Sequence, residues 1–446
     1  MAQTADENIL DYFFYLADEW VLVRGAVHSL LVHPASGRMS RINDTARKII
    51  ESGEHGKTVA ATAHVLEPAL TKKETAVFIR SLSDDGAVML SSEPMHREQA
   101  AAGPPSSAMD FIWIEVTPHC NLRCIHCYAD AGGKPKPSMS TPEIKQVIDD
   151  AAALGWKRLQ FTGGECTTHP DLQDLILHAK SRGFEFIEIF TNGTLLTEPM
   201  VQFLAREGVH VGMSLYSWRP ETHDAITGIP GSYEKSLGAI RLLLQYEVAT
   251  RCATVAMKQN EEDLDATTYF ILKLGLACRV PDPVRPTGRG TALENWPEKY
   301  GLNAIQTRPA FRTDPAGFAK KQHCNSCWHG KAGITSSGDV LPCLFARDHV
   351  AGNIHEKSLK EIIPEKMMQE YWNLTFDRIE PCRRCEYRYV CDDCRPWAYG
   401  FTGDLYAKSP RCTYNPLTGR WGKAETALGN AAGQKVPARK QKCQEC

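Results

Sequence analysis

Sixteen cysteines stand in this chain of 446 residues, and their spacing is uneven. Residues 1–110 hold none. Cys120, Cys124 and Cys127 form a C-x3-C-x2-C run. Eight more lie between 324 and 412. They read Cys324-x2-Cys327, then Gly338-x4-Cys343, then Cys382-x2-Cys385-x5-Cys391-x2-Cys394, and after a gap Cys412. Thiolates are soft ligands that suit iron–sulfur clusters or zinc. Three thiolates from one loop leave a metal position open, where a substrate or cofactor can bind directly. Eight thiolates make two complete four-cysteine sites, either two four-iron clusters or two structural zincs. In a large chain, clumped thiols point to metal or redox chemistry rather than to disulfides.

These residues need a frame, and the sequence between 111 and 290 supplies one. Short apolar, β-branched runs at 112–117, 158–163, 186–191, 209–216, 250–257 and 276–284 read as strands. Helical periodicity fills 141–154, 171–182, 197–207, 233–246 and 263–274, with Asp171 and Thr197 placed as N-caps. Repeated strand–helix units imply parallel strands with right-handed crossovers, here an open partial barrel in the α/β class. Ligand chemistry in such folds gathers at the C-terminal strand ends. There stand TPHCNLRCIHCY, TGGEC, TNGT, SLYS, MKQN and DPVRPTGRG.

With C-x3-C-x2-C directly after the first strand, the region 111–290 resembles the radical S-adenosylmethionine (SAM) enzymes. The resemblance implies a partial (β/α)6 barrel and a 4Fe–4S cluster on Cys120, Cys124 and Cys127, whose open iron SAM chelates. Gly163, Gly164 and Glu165 match the family's SAM-binding Gly-Gly-Glu, and Asn192 and Ser214 stand where relatives contact SAM. Tyr216 replaces the acidic residue common two positions after that serine, and Cys166 replaces a common proline. The C-terminal cysteine pattern resembles the SPASM extension, which carries two auxiliary 4Fe–4S clusters and so brings the expected total to three. By that resemblance one cluster takes Cys324, Cys327, Cys343 and Cys394, and the other takes Cys382, Cys385, Cys391 and Cys412. Cys324 is the least secure of these, because Cys324-x2-Cys327 is a tighter pair than in some relatives. Segment 331–343 is expected to be a β-hairpin turning at Ser337-Gly338-Asp339.

The first hundred residues read as a small winged-helix-like α+β module. Strands are expected at 19–25, 27–34 and 37–43, helices at 44–52, 58–66 and 72–85, and a last apolar run at 87–92. Beside a radical SAM–SPASM core this layout resembles the recognition element of ribosomal peptide maturases. There a precursor peptide's leader adds a strand to the sheet edge, here 37–43, and packs on the third helix, here 72–85. The expected division is 1–96 peptide recognition, 97–110 linker, 111–310 barrel, 311–421 SPASM domain, and 422–446 a tail with Cys443 and Cys446.

Lys and Arg total 51 against 53 Asp and Glu, so the net charge is -2. That balance offers no bulk attraction to nucleic acid or an anionic membrane. No run of about 18 apolar residues suggests a membrane span, and the acidic start does not read as a secretory signal. A cytoplasmic enzyme is expected. It would oxidatively modify a ribosomally made precursor peptide, forming a thioether or carbon–carbon cross-link, with flavodoxin or ferredoxin as reductant. Rival readings are tailoring of a haem or cofactor precursor, oxidation of a Cys or Ser in a sulfatase, and a zinc-stabilised nucleic-acid-binding regulator. No general base stands out. His169, His223 and Asp282 are near the site by position only, and Cys252 and Cys278 read as core thiols.

Overall fold

The computed structural model describes residues 9–95, 109–133, 136–299, 311, 313–325 and 327–422. Most of the expected linker, and Cys443 and Cys446 with nearly all of the tail, lie outside those residues.

The N-terminal part begins with β1 (Phe13–Leu16), β2 (Val21–Arg24), β3 (Ser29–His33) and β4 (Arg38–Ile42). Helices α1 (Asp44–Glu54), α2 (Val59–Leu66) and α3 (Lys72–Asp84) follow, then β5 (Val88–Ser91). Polar caps set the helix starts. The Asn43 side chain accepts from the Ala46 N–H, and Thr71 with Glu74 forms a reciprocal capping box. Strands β2, β3 and β4 make an antiparallel sheet in that order. β1, which periodicity did not reveal, pairs with β5 in a second small sheet.

The three-stranded sheet is apolar on both faces. Leu31 and Ile42 pack toward Trp20, Ile50 and Leu82. Val23, Leu30 and Val32 pack on Phe318 and Val390 from far along the chain, flanked by Met39, Tyr387 and Tyr389. The module therefore shares a core with the cysteine-rich region. Phe318→Ala would remove the ring at its centre, at a cost of about 3–5 kcal/mol. The expected outcome is faster cleavage of residues 1–95 in limited proteolysis, with the barrel fragment persisting.

The barrel sheet starts with β6 (Phe111–Glu115), then α4 (Thr141–Leu154), β7 (Arg158–Thr162), α5 (Leu172–Ser181), β8 (Phe186–Thr191), α6 (Glu198–Glu207) and β9 (His210–Ser214). It continues through α7 (Pro220–Thr227), α8 (Ser232–Gln245), β10 (Thr250–Ala253), β11 (Val255–Ala256), α9 (Leu264–Lys273), β12 (Ala277–Cys278) and β13 (Asp282–Pro283). β6, β7, β8, β9, β10 and β12 are parallel neighbours in chain order, while β11 pairs with β13 in a separate ladder. The α/β partial barrel is thus present. Asp171 and Thr197 do stand at the N-caps of α5 and α6, but neither side chain bonds its own helix. Asp171 instead accepts from the Thr141 hydroxyl at 2.5 Å. Cys166 and Cys252 are buried in the barrel core, with Cys278 partly buried against it.

After α10 (Pro315–His323), β14 (Lys331–Ile334) and β15 (Asp339–Leu341) form the expected hairpin. β14 also pairs in parallel with β6, Ile112 opposite Ala332 and Ile114 opposite Ile334. With β16 (Gly352–Asn353) this makes one nine-stranded sheet that fuses barrel and extension. Then come α11 (Leu359–Ile362), α12 (Lys366–Trp372), α13 (Arg395–Thr402), β17 (Tyr414–Asn415) and β18 (Arg420–Trp421).

Candidate active site

The cysteine loop that follows β6 is held by backbone. Arg123 N–H donates to Thr227 O at 2.8 Å and Ile125 N–H to Ile226 O at 3.0 Å, which ties the loop to the end of α7. Gly164 N–H donates to Thr117 O and Glu165 N–H to His119 O, both at 2.7 Å. Any Cβ on Gly164 would lie 2.0 Å from His119 O, so only glycine lets the end of β7 approach the residues before Cys120 this closely. From the other side Arg289 closes the loop. Its Nε donates to Cys124 O at 2.8 Å, and Nη1 donates to Asp130 Oδ1 at 2.8 Å and Ala131 O at 2.9 Å. Gly288, at φ +59°, brings that clamp against Cys127 O.

The three thiols lie near enough to feel one another's charge. Burial pushes the Cys120 thiol up to about 11, with Glu165 and then Cys127 adding to it, and the Cys124 thiol up to about 12, with Cys127 and then Cys120 adding to it. Thiols held protonated by burial are what a cationic metal centre would convert to ligands, because coordination deprotonates them and neutralises the resulting charge. These residues therefore fit a cluster. Tyr216, two residues beyond β9, closes the site. It lies edge-on to His126 with ring centroids 4.7 Å apart, and its phenol feels all three thiols.

Glu165 is 1% exposed. Its Oε1 accepts from Thr167 N–H at 3.1 Å, Thr167 Oγ1 at 2.7 Å and Thr191 Oγ1 at 2.5 Å, and its Oε2 accepts from Asn192 N–H at 2.7 Å. The carboxylate thereby joins the ends of β7 and β8. Asn192 Nδ2 donates to Asn121 Oδ1 at 3.0 Å, reaching back to the cysteine loop. Ser214 ends β9, next to the Tyr216 hydroxyl. His223 and Asp282 have local partners. His223 Nδ1 accepts from Tyr216 N–H at 3.3 Å, and Asp282 pairs with Arg285 at 2.7 Å.

The C-terminal cysteines fall into two groups. Cys343 lies with Cys327 and Cys394. Cys382, Cys385 and Cys391 lie with Cys412. Cys324 stands apart, 3% exposed, its thiol donating to Lys320 O at 3.3 Å. Among the described residues, no three His, Cys, Asp or Glu side chains converge closely enough to hold a single metal ion.

A cavity of about 1140 Å³ opens between the barrel mouth and the extension. Thr117, Tyr128 and Gly164 line it from the side of the first cysteine loop. Trp328, Phe345 and Pro396, near neighbours of Cys327, Cys343 and Cys394, line it opposite. Across one wall lies a buried ion pair of Glu115 with Arg347, whose guanidinium stacks 5.3 Å over Tyr128. The second group borders the N-terminal module instead. Ala26 N–H donates to Arg384 O at 2.8 Å, and Arg388 Nη1 donates to both Arg24 O and Cys385 O, at 2.6 and 3.0 Å.

Residues 114–271 match the Radical SAM superfamily, and residues 324–386 match the SPASM iron–sulfur cluster-binding domain. The AdoMet-dependent heme synthase of Methanosarcina barkeri is 30% identical over 344 residues, which cover 70% of this chain and 98% of that protein. The chain belongs to the radical SAM superfamily. As a radical SAM enzyme it binds SAM and a 4Fe–4S cluster, and its SPASM domain binds auxiliary iron–sulfur clusters. A second relative is the antilisterial bacteriocin subtilosin biosynthesis protein AlbA of Bacillus subtilis. It is 25% identical over 318 residues, covering 68% of this chain and 70% of AlbA. Among solved structures, SuiB of Streptococcus suis bound to precursor peptide SuiA aligns over 90% of this chain and 98% of its own, with TM-score 0.51 and 15% identity. The shared fold thus reaches further along this chain than the heme synthase match does.

Arg289, Tyr216 and the Glu115–Arg347 pair were not identified from sequence as parts of the site. The one signal for Arg289 was the polar, glycine-rich stretch after the sixth strand.

Proposed function

We propose that this radical SAM enzyme oxidatively cross-links a ribosomally made precursor peptide, forming a thioether or carbon–carbon bond. The observation that carries the reading is β4. Among the described residues it is paired on one side only, is exposed along most of its length, and belongs to a sheet packed directly on the cysteine-rich region. An extended leader adds to such an edge by backbone hydrogen bonds, with α3 beside it. The core segment would then reach the cavity.

Cys120, Cys124 and Cys127 would hold the SAM-binding cluster, and Gly163, Gly164, Glu165, Asn192 and Ser214 would form the SAM cradle. Two auxiliary four-iron clusters would bring the total to three. One would sit on Cys327, Cys343 and Cys394, the other on Cys382, Cys385, Cys391 and Cys412. When bound, the cluster and SAM supply a carbon radical able to take a hydrogen atom from an unactivated C–H bond. The protein's own residues fix the geometry. Arg289 and the Thr227 carbonyl hold the cysteine loop, Tyr216 covers it, and the fused sheet keeps the cavity walls in register. A flavodoxin- or ferredoxin-type reductant and a cytoplasmic setting complete the reading.

Cavity charge weighs against a haem precursor. Its charged lining residues are Glu115, Asp130 and Asp348 against Lys136 and Arg347. Arg347 is paired with Glu115, and Lys136 lies 3.7 Å from Asp130. A macrocycle rimmed with propionates would find no free cation among the described lining residues, and burying unpaired carboxylates is costly. A peptide segment places no such demand.

Anaerobic reaction with SAM, a reductant and a leader-bearing peptide, read by mass spectrometry, tests the proposal. Loss of two hydrogens from the peptide supports it. Conversion of a porphyrin precursor with the peptide left untouched refutes it. Cys324→Ala should leave iron per chain unchanged, whereas Cys327→Ala should lower it, as measured by metal analysis after anaerobic reconstitution.

A further inference from the structure

Among the described residues three histidines keep a buried ring nitrogen without a hydrogen-bond partner: His126, His329 and His349. His126 belongs to the cysteine loop. His329 leans on Trp372, with centroids 5.5 Å apart, and does not line the cavity. His349 does line it, at only 9% exposure, with Nδ1 unpaired. Buried polar atoms in native proteins are almost always paired, so an orphan in a cavity wall points to a ligand that completes it.

The ring is held in place by aromatic neighbours. Tyr399 of α13 stands edge-on with centroids 4.5 Å apart, Tyr371 of α12 edge-on at 5.7 Å, and Trp328 lies at 6.4 Å. The His349 N–H donates to Ala346 O at 2.9 Å, which fixes the backbone. The facing titratable groups are the two phenols, both held protonated by burial, and the Asp348 carboxylate. The neighbouring Arg347 is engaged by Glu115. Burial keeps the imidazole below its ordinary value, with Asp348 opposing in part. The ring is therefore neutral at pH 7 and able to accept a proton.

We propose that His349 is the proton acceptor of this cavity, taking the thiol proton as a peptide cysteine closes a thioether. The inference rests on the peptide reading above and narrows its cross-link to a C–S bond. In that step the C–H bond breaks, its hydrogen atom passing to the radical that SAM cleavage supplies. The S–H bond breaks, its proton passing to His349. The C–S bond forms, and the remaining electron leaves to a one-electron acceptor of the iron–sulfur class. Atoms and electrons then balance as loss of two hydrogens from the peptide.

The test compares wild type, His349→Gln and His349→Glu as full-length reconstituted enzyme with a leader-bearing, cysteine-containing peptide. Iron per chain, 5′-deoxyadenosine and cross-linked product are followed between pH 5 and 9. In His349→Gln, iron and deoxyadenosine should match wild type while product falls at least about tenfold, the lower range of general-base effects. Wild-type product formation should fall as pH drops through a limb below 6.5, where the imidazole protonates. His349→Gln should lack that limb. His349→Glu should restore product, with the limb moved to lower pH. Unchanged product and limb in His349→Gln overturn the inference. Loss of iron also overturns it, by making His349 a cluster ligand. If wild type converts no peptide, the peptide reading falls, and the thioether step for His349 falls with it. A wild type that converts the peptide while His349→Gln is unaffected refutes His349 alone.

Discussion

With Cys120, Cys124 and Cys127 all changed to Ala, the protein should fold, yet form no detectable 5′-deoxyadenosine from SAM. Iron should fall from about twelve to about eight per chain, one four-iron cluster's worth. Folding should survive because the loop is tied by backbone groups that the substitutions leave in place: Arg123 to Thr227, Ile125 to Ile226 and Gly164 to Thr117. Burial keeps the Cys120 and Cys124 thiols protonated, so replacing them by Ala removes no charge from the metal-free loop. Circular dichroism, metal analysis and chromatography of the nucleoside product check the three parts of this prediction. Zinc without iron in the parent protein would instead revive the zinc-stabilised regulator.

The second large effect concerns the peptide. Removing the leader from the substrate should lower kcat/KM about 100-fold, the equivalent of about 2.7 kcal/mol of lost binding. Deoxyadenosine formed in the absence of peptide should not change. Among the described residues β4 offers a one-sided edge over Arg38–Ile42, and the sheet carrying it is bolted to the loop of Cys382 and Cys385 through Ala26, Arg24 and Arg388. A leader bound there is held against the same rigid unit that forms the cavity wall, so its binding energy serves to place the core segment. Added in trans, the free leader should compete with the full peptide. Equal kcat/KM with and without the leader would leave β4 without a role. Deleting residues 1–95 is a poorer test, since it would strip Val23, Leu30 and Val32 from Phe318 and Val390 and destabilise the remainder.

Much of this architecture was legible because its signals are local. Short apolar, β-branched runs located β7, β8, β9 and β10, and helical periodicity located α4, α5, α6 and α8, with Asp171 and Thr197 marking the starts of α5 and α6. Cysteine spacing marked where the thiols cluster along the chain, while their division into two groups came only with the resemblance to the SPASM extension. Helix α7 was readable but unread, since Pro220 at its start and Gly228 beyond its end are ordinary helix signals. What stayed hidden depends on chain crossings that leave no periodic trace. The pairing of β14 with β6 joins residues more than two hundred positions apart. Arg289 reaches Cys124 across 165 positions. Nothing around position 349 distinguishes that histidine from His329 or His355, because its meaning comes from Tyr371, Tyr399 and the cavity. Tyr216 was visible as a departure from the family pattern, but its place over the cysteine loop required the fold.

The central claim is that a peptide C–H bond is the hydrogen donor in this site. The most direct measurement uses a leader-bearing peptide deuterated at its carbon positions, incubated anaerobically with the reconstituted enzyme, SAM and reductant, and follows the isotope content of 5′-deoxyadenosine. The account predicts deuterium in the nucleoside, matched by a peptide product that has lost one deuterium and one exchangeable hydrogen. Nucleoside free of deuterium, with the peptide mass unchanged, would contradict it.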